Sequence, residues 1–340
     1  MEIRKLNTLR GLAAMIVVIA HYSNHNNWLD SKLGSGAGQL GVMIFFMLSG
    51  FLMSFLYLQK EFDRTNVINY VVARAARVLP LFLIVVFISY FANATVAQSV
   101  MYDIPDVRSL LAHLFLLNGE SVLWTIAPEI QFYALFIVIW AMFRRWLSLL
   151  FIAASFIVIA LFFLRFPDFN GDWGGMTIKF TLFRCLPFFI VGLILGHAYK
   201  CLEIPKYLRT NWFVVTLIFI PLLYPKIYFA LTGVHHGAWK DIGVLLVLSL
   251  IFFNVVFLIP DTNRLIANKL GDFLGKISYS LYLLHMPILL QVLKYDIGGK
   301  EVTLLVFIGL CLLFSYISYR LIEVPASRYI RKLSRPATRA

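Results

Sequence analysis

The amino-acid sequence predicts an all-α polytopic membrane protein with about ten transmembrane helices and both termini cytoplasmic. Three observations support this. Hydrophobic side chains make up 61% of the 340 residues and charged ones 14%, which is far more apolar surface than one soluble core buries. Mean hydropathy is +0.82, and the apolar residues gather into stretches near the roughly 20 residues that a helix needs to cross the hydrocarbon. The basic residues lie between those stretches with an asymmetry that assigns sides.

In chain order, the first expected span covers residues 9–25 and contains LRGLAAMIVVIAH. No small-residue cleavage site follows it, so it reads as a retained span, not a signal peptide. The second, 40–58, carries Gly41, which lets another backbone come close, and Ser49, which can bond across helices. The third covers 78–98, after a cytoplasmic segment 59–77 that contains Arg74 and Arg77. The piece LLAHLFLLNG at 110–119 is too short to cross and reads as re-entrant or interfacial. Spans at 126–143 and 147–164 flank Arg144 and Arg145, and a sixth at 180–199 begins with Arg184 and Pro187 on the outer side. The remaining spans are 212–231, 242–260, 277–294 and 302–321. Residues 1–325 form the transmembrane domain and 326–340 a basic cytoplasmic tail, with Glu323 and Arg320 at the cytoplasmic boundary.

With the N terminus inside, 21 of the 30 Lys and Arg residues fall in cytoplasmic segments, and an even number of spans returns the C terminus to the same side. The net charge of +13 therefore reports topology and contact with anionic headgroups. Spread over six segments, it does not read as a nucleic-acid footprint. Cys185, Cys201 and Cys311 have no metal-ligand spacing and call for no disulfide framework. His235 and His236 are adjacent, hence on opposite sides of any element, so no metal is expected there. A phosphate loop of the Walker type and an internal repeat are both missing, which argues against an ATP-driven transporter.

Several polar residues stand out against this apolar background. Arg10 and His21 are 11 residues apart, almost three turns and about 16 Å of rise, so they share one face of the first span at different depths. An ionisable group in a span costs a few kcal/mol, and such groups usually face a polar cavity and a partner. Arg74 and Arg77 are one turn apart; they suit a phosphorylated cytosolic ligand, or simply set topology. In WTIAPEIQFY, Glu129 is expected at the outer end of the fourth span with Tyr133 one turn deeper. His21 falls in the same outer half, where a carboxylate beside the imidazole would stabilise its charged form. Tyr279, Tyr282 and His285 follow at i, i+3 and i+6, as a packing stripe or part of a site. Trp28, Trp173 and Trp239 fall in outer loops, where they either stack on sugar rings or belong to the interfacial belt.

Taken in order, LRGLAAMIVVIAH, GVMIFFMLSGFL, ARAARVLP, WTIAPEIQFY and ISYSLYLLHMP resemble the acyltransferase family 3 of integral membrane proteins, in its stand-alone form without an appended soluble domain. Thr125 and Ile126 follow Trp124 where the family more often has Ser and Leu, and Ala73 stands where an arginine is frequent. The resemblance implies O-acylation, usually acetylation, of a hydroxyl on a carbohydrate or glycoconjugate at the extracytoplasmic side of a bacterial cytoplasmic (inner) membrane. Acetyl-CoA is the implied donor, and no metal is implied. Carried over by position, His21 is the catalytic base and Glu129 its support. Arg10, Arg74 and Arg77 bind the donor, and Ser49, Trp124, Tyr133, Tyr282 and His285 are supporting or substrate-binding. Direct transfer and a covalent acyl-histidine both remain open. The competing function is a transporter or flippase of an acyl or sugar-lipid carrier; a structural scaffold would leave Arg10, His21 and Glu129 unexplained.

Overall fold

The computed structural model describes residues 3–95, 100–144, 154–155, 157–159, 161, 169–173, 176–295 and 297–333. Its helices run Arg4–His25 (α1), Gly38–Leu58 (α2), Arg64–Thr95 (α3), Val107–Leu114 (α4) and Ser121–Phe143 (α5). A hairpin, Phe169–Trp173 (β1) with Met176–Phe180 (β2), precedes Leu182–Cys201 (α6). Then come Asn211–Leu222 (α7), Pro225–Thr232 (α8), Ile242–Leu258 (α9), Lys269–Val292 (α10) and Lys300–Leu333 (α11). Among the described residues, α1, α2, α3, α5, α6, α10 and α11 are long and apolar enough to cross a membrane, so the protein is a helical membrane protein.

Several expected elements differ. The antiparallel hairpin, with Phe169 opposite Phe180 and Trp173 opposite Met176, departs from an all-α chain. The expected span 147–164 lies mostly outside the described residues. The expected span 212–231 is instead two arms, α7 and α8, bent by 89°. The break has a cause: Pro225 opens the second arm and has no amide hydrogen with which to continue the first. The apolar run at 242–260 forms the shorter α9, opened by the Asp241 carboxylate accepting from the Val244 amide at 3.1 Å. Helix α3 starts at Arg64, well before the expected residue 78, and Arg74 and Arg77 lie one turn apart in its body, as their spacing predicted. Helix α11 continues past residue 326 to Leu333 through a π turn at Tyr319–Glu323.

Helix α1 packs between α2 and α10, α2 lies along α6, and the last turns of α11 return onto α3. Small residues set the two closest crossings. A Cβ at Gly192 would overlap the Met47 carbonyl, one at Gly196 the Phe51 carbonyl, and one at Gly50 the Phe189 carbonyl, so α2 and α6 touch backbone to backbone. Gly11 against Leu274 and Gly275 against the Asn7 backbone do the same for α1 and α10. Stacked rings extend the seam: Phe189 lies 4.0 Å from Phe132 and 4.4 Å from Phe46, joining α6 to α5 and α2.

Backbone cannot yield as a side chain can, so Gly192→Ala and Gly196→Ala should each cost about 1–3 kcal/mol. Melting of the detergent-solubilised protein should fall by several degrees for both. Gly309→Ala, where nothing lies within 4 Å of the added methyl, should leave it unchanged; equal melting of all three would refute the close-crossing account.

Candidate active site

Two cavities lie along α1, one at the depth of Arg10 and one at that of His21. The first is lined by Arg10 from α1, Arg74 and Arg77 from α3, Ser49 from α2, Glu129 and Tyr133 from α5, and Tyr279 and Tyr282 from α10. Three guanidinium groups in hydrocarbon demand counter-charge, and two carboxylates supply part of it. Arg77 Nη1 sits 2.6 Å from Glu323 Oε2, and Ser280 donates to the other Glu323 oxygen at 2.5 Å. Glu129 Oε1 accepts from Ser49 Oγ at 2.9 Å and from the Tyr133 hydroxyl at 2.5 Å. Aromatic faces also contribute: Arg74 lies 6.0 Å from the Tyr133 ring and Arg77 5.4 Å from the Tyr279 ring. Three cations against two anions leave an excess positive charge. The buried Nε of Arg74 has no hydrogen-bond partner among the described residues. Among the described residues the chamber thus carries more positive than negative charge, an arrangement that can accommodate an anion.

The second cavity, of about 390 Å³, is lined by Val17, His21 and Asn24 from α1, Gln39 and Val42 from α2, Trp124, Arg184, Trp239 and Tyr282. His21 Nδ1 lies 2.9 Å from the Val17 carbonyl and 3.2 Å from His285 Nε2. His285, fully buried, directs its Nδ1 at the carbonyls of Tyr282 (2.7 Å) and Leu281 (3.2 Å). Carbonyls only accept, so neutral His285 carries its proton on Nδ1 and offers a lone pair at Nε2. Both neighbours of His21 Nδ1 are then acceptors, and in the neutral ring the proton belongs there. His21 Nε2 is left as the basic nitrogen.

Tyr282 and Val42 line both cavities, so this pair divides them. The Tyr282 ring is held by Thr125, whose hydroxyl donates to its oxygen at 3.1 Å, and by its own hydrogen bond to the Val122 carbonyl at 3.1 Å. The segment leading to Trp124 is anchored from α4, the piece expected at 110–119. Buried His113 donates from Nδ1 to the Ser109 carbonyl at 2.8 Å and accepts the Glu120 amide at Nε2 at 2.9 Å. Burial lowers the His113 pKa, which keeps the ring neutral and Nε2 free to accept.

The expected residues therefore divide between two chambers. Arg10, Arg74, Arg77, Glu129, Ser49 and Tyr133 meet in one, His21, His285 and Trp124 around the other, and Tyr282 belongs to both. The expected pairing of Glu129 with His21 is replaced by Glu129 with Ser49 and Tyr133, and the imidazole partner is His285. The physical reason is depth: Glu129 follows the Ser121–Thr125 turn and descends to the level of Ser49. Glu323, expected at the cytoplasmic boundary with Arg320, is 5% exposed and bonded to Arg77; its apolar neighbours in RLIEVP were the available signal for that burial. Sequence reasoning also missed that Arg184 joins Trp124 and Trp239. The guanidinium lies 5.2 and 5.4 Å from their rings, which meet edge to face at 5.7 Å. Trp28 packs on Tyr22 and donates to Glu301, away from His21. The Trp173 side chain lies outside the described residues. His235 stacks on Phe229 and His236 donates to the Leu223 carbonyl. Among the described residues no group of three or more His, Cys, Asp or Glu side chains could hold a metal.

The charged chamber and the histidine pair are set in the bundle of long apolar helices of a membrane protein. The sequence profile of acyltransferase family 3, described as an acyltransferase domain, matches residues 3–324, and the chain belongs to that family. Among curated proteins it is similar to "Putative O-acetyltransferase SACOL0978" of Staphylococcus aureus (strain COL), at 26% identity over 356 residues. It is also similar to "O-acetyltransferase OatA" of Staphylococcus aureus (strain NCTC 8325 / PS 47), at 27% identity over 350 residues. Each match covers 94% of this chain and 56% of the relative, so the chain spans little more than half the length of either. No solved structure matches it.

The contacts around the two imidazoles fix a proton pattern that nitrogen NMR can read. In histidine-labelled protein at pH 7.5, both His21 and His285 should show a protonated Nδ1 and an unprotonated Nε2. A proton on Nε2 of neutral His21 would overturn the assignment of that nitrogen as the base.

Proposed function

We propose that the protein is a membrane O-acyltransferase, specifically an O-acetyltransferase, that moves an acetyl group from cytosolic acetyl-CoA to a hydroxyl of a carbohydrate or glycoconjugate on the extracytoplasmic side. The observation that carries this reading is the join between the chambers. A cationic cavity and a cavity holding a base meet at one residue pair, Tyr282 and Val42. The names of the O-acetyltransferase relatives support it.

In this reading the cationic chamber faces the cytoplasm, as the positive-inside distribution of Lys and Arg favours, with about ten spans and both termini inside. Residues 1–325 are the catalytic domain and 326–340 a basic tail. Arg74 and Arg77, with Arg10, hold the coenzyme A phosphates, since guanidinium groups grip phosphate with paired hydrogen bonds and never lose their charge. The cationic cavity is narrow, about 80 Å³ against about 390 Å³ for the chamber of His21. A slot of that kind suits the slender pantetheine arm, and the wider chamber suits a sugar. The thioester passes Tyr282 to reach His21.

There the acceptor hydroxyl attacks the thioester carbonyl. The oxygen–carbon bond forms, the carbon–sulfur bond breaks, and His21 Nε2 takes the hydroxyl proton and returns it to the departing thiolate. His285 and the Val17 carbonyl hold the ring in the tautomer that can do this. Glu129 acts through the arginine chamber, keeping part of its charge balanced between Ser49 and Tyr133.

Purified protein in liposomes with labelled acetyl-CoA tests the proposal. His21→Ala should lower transfer by about 10²–10⁴-fold, the usual worth of a general base, while inserting normally. Arg74→Gln should raise the KM for acetyl-CoA by about tenfold with little change in kcat. Transfer retained by His21→Ala would overturn the role of the base. Wild-type protein that consumes no thioester with any acceptor would favour a transporter or flippase.

A further inference from the structure

Gln39 takes no part in donor binding or in proton transfer as derived above. It stands in the first turn of α2, after Gly36 and Gly38 and before the apolar run Leu40–Leu48. The crossing of α1 and α2 brings this turn to the histidine. A Cβ at Gly38 would lie 3.4 Å from the Ala20 Cβ and 3.8 Å from His21 Cε1, so the bare backbone of α2 passes beside the imidazole. Gln39, the next residue, lines the same chamber as His21. Val42, one turn further along α2, belongs to the partition, and Ser49, two turns beyond that, to the arginine chamber. Helix α2 thus repeats the plan of α1, with one polar residue for each chamber.

Several polar groups on the wall of the histidine chamber are already committed. His21 Nδ1 faces the Val17 carbonyl and His285, and the Tyr282 hydroxyl is held between Thr125 and the Val122 carbonyl. Asn24 Oδ1 accepts the Ser35 amide at 2.5 Å. The Gln39 carboxamide, by contrast, has no hydrogen-bond partner among the described residues. It lies over Gly36, where an added Cβ would come 3.7 Å from its Nε2. A carboxamide presents an acceptor oxygen and a donor nitrogen side by side, and each sugar hydroxyl is both donor and acceptor. Two neighbouring hydroxyl oxygens therefore match one carboxamide, and a ligand that carries them satisfies a group the protein leaves open.

We propose that Gln39 binds the acceptor through a pair of adjacent hydroxyls, one held on its carboxamide and the other placed at His21 Nε2, so that the substrate class is a sugar with a free hydroxyl next to the one acylated. This rests on the acyl-transfer reading for the word acceptor, but the site itself is defined by binding. Gln39 Oε1 accepts the proton of the held hydroxyl, and Nε2 donates to an oxygen beside it. The reacting hydroxyl is left free to donate to His21 Nε2, and holding its neighbour selects which hydroxyl that is.

Equilibrium binding to purified protein in nanodiscs tests it with methyl glycosides of glucose, galactose and N-acetylglucosamine, each beside its singly deoxygenated counterparts. Wild-type protein should bind at least one parent glycoside about tenfold tighter than one of its deoxy counterparts, because a site made for a hydroxyl is left unpaired by its loss. Gln39→Leu, similar in bulk but without the amide, should reduce that preference to about twofold or less. Gln39→Asn, which keeps the amide on a shorter stem, should retain part of it and reads the same preference if leucine is not tolerated. Equal binding of parent and deoxy glycosides by the wild type, no binding of any, or a preference that survives Gln39→Leu would each overturn the proposal. Labelled acetyl-CoA in the same preparation then locates the acylated hydroxyl, which should be next to the one whose loss weakens binding. A preference that depends on Gln39 without thioester consumption refutes acetyl transfer and leaves the binding site standing. Transfer that ignores the neighbouring hydroxyl does the reverse.

Discussion

The arrangement of the bundle depends on where three arginines can be tolerated. Guanidinium groups do not shed their charge in the membrane, and each isolated one is costly at depth. Arg10, Arg74 and Arg77 come from two helices far apart in sequence, and two carboxylates from two others, Glu129 on α5 and Glu323 on α11, are bonded within the same region. This requirement explains contacts that hydrophobic packing alone would not select. The C-terminal turns of α11 return onto α3, which brings Glu323 to Arg77. Ser49 and Tyr133 are placed to hold the Glu129 carboxylate, and Ser280 to hold Glu323. Among the described residues balance is incomplete by one charge, whereas a structural ion-pair network gains most when every charge is matched.

Once the charged chamber is fixed, the histidine chamber follows from the pitch of α1. Arg10 and His21 share a face because 11 residues make nearly three turns, and the helix is held on both sides by crossings that admit no side chain, Gly11 and Gly275 with α10 and Gly41 with the Ala13 carbonyl. His285 arrives on α10 at the depth of His21 because that close crossing fixes the register of the two helices. Tyr282, one turn earlier on α10, then necessarily falls between the two depths. The division between chambers is thus a consequence of helical periodicity.

The sequence disclosed what local periodicity and composition control. Long apolar stretches, the shared face of Arg10 and His21, the one-turn spacing of Arg74 and Arg77, and the cross-helix role of Ser49 were all legible, and the structure retains them. What was not legible required knowing which helices are neighbours. Glu129 was assigned to His21 by nominal depth, but α5 begins with a tight turn, and its first carboxylate lies beside α2. Glu323 was read from the basic residues that follow it, and its bond to Arg77 was not legible: the π turn at Tyr319–Glu323 carries the helix onward and aims the carboxylate at Arg77. The bend between α7 and α8 could have been anticipated from Pro221 and Pro225, whereas hydropathy averages over such breaks. The cluster of Arg184, Trp124 and Trp239 draws one residue from each of three segments, and no spacing in one chain encodes it.

The glycine contact between α2 and α6 links these features. Helix α2 supplies Val42 and Ser49, one at the division between chambers and one on Glu129, while α6 supplies Arg184. With Gly50, Gly192 and Gly196 removing side chains from the crossing, the two backbones sit in direct contact and cannot slide without carbonyls colliding with methylene groups. The distance from Arg184 to the partition, and through it to the arginines, is therefore set by backbone contact rather than by adaptable side chains. A constant separation between the two chambers follows from such a rigid pair, and the proposed transfer between them would need that constancy.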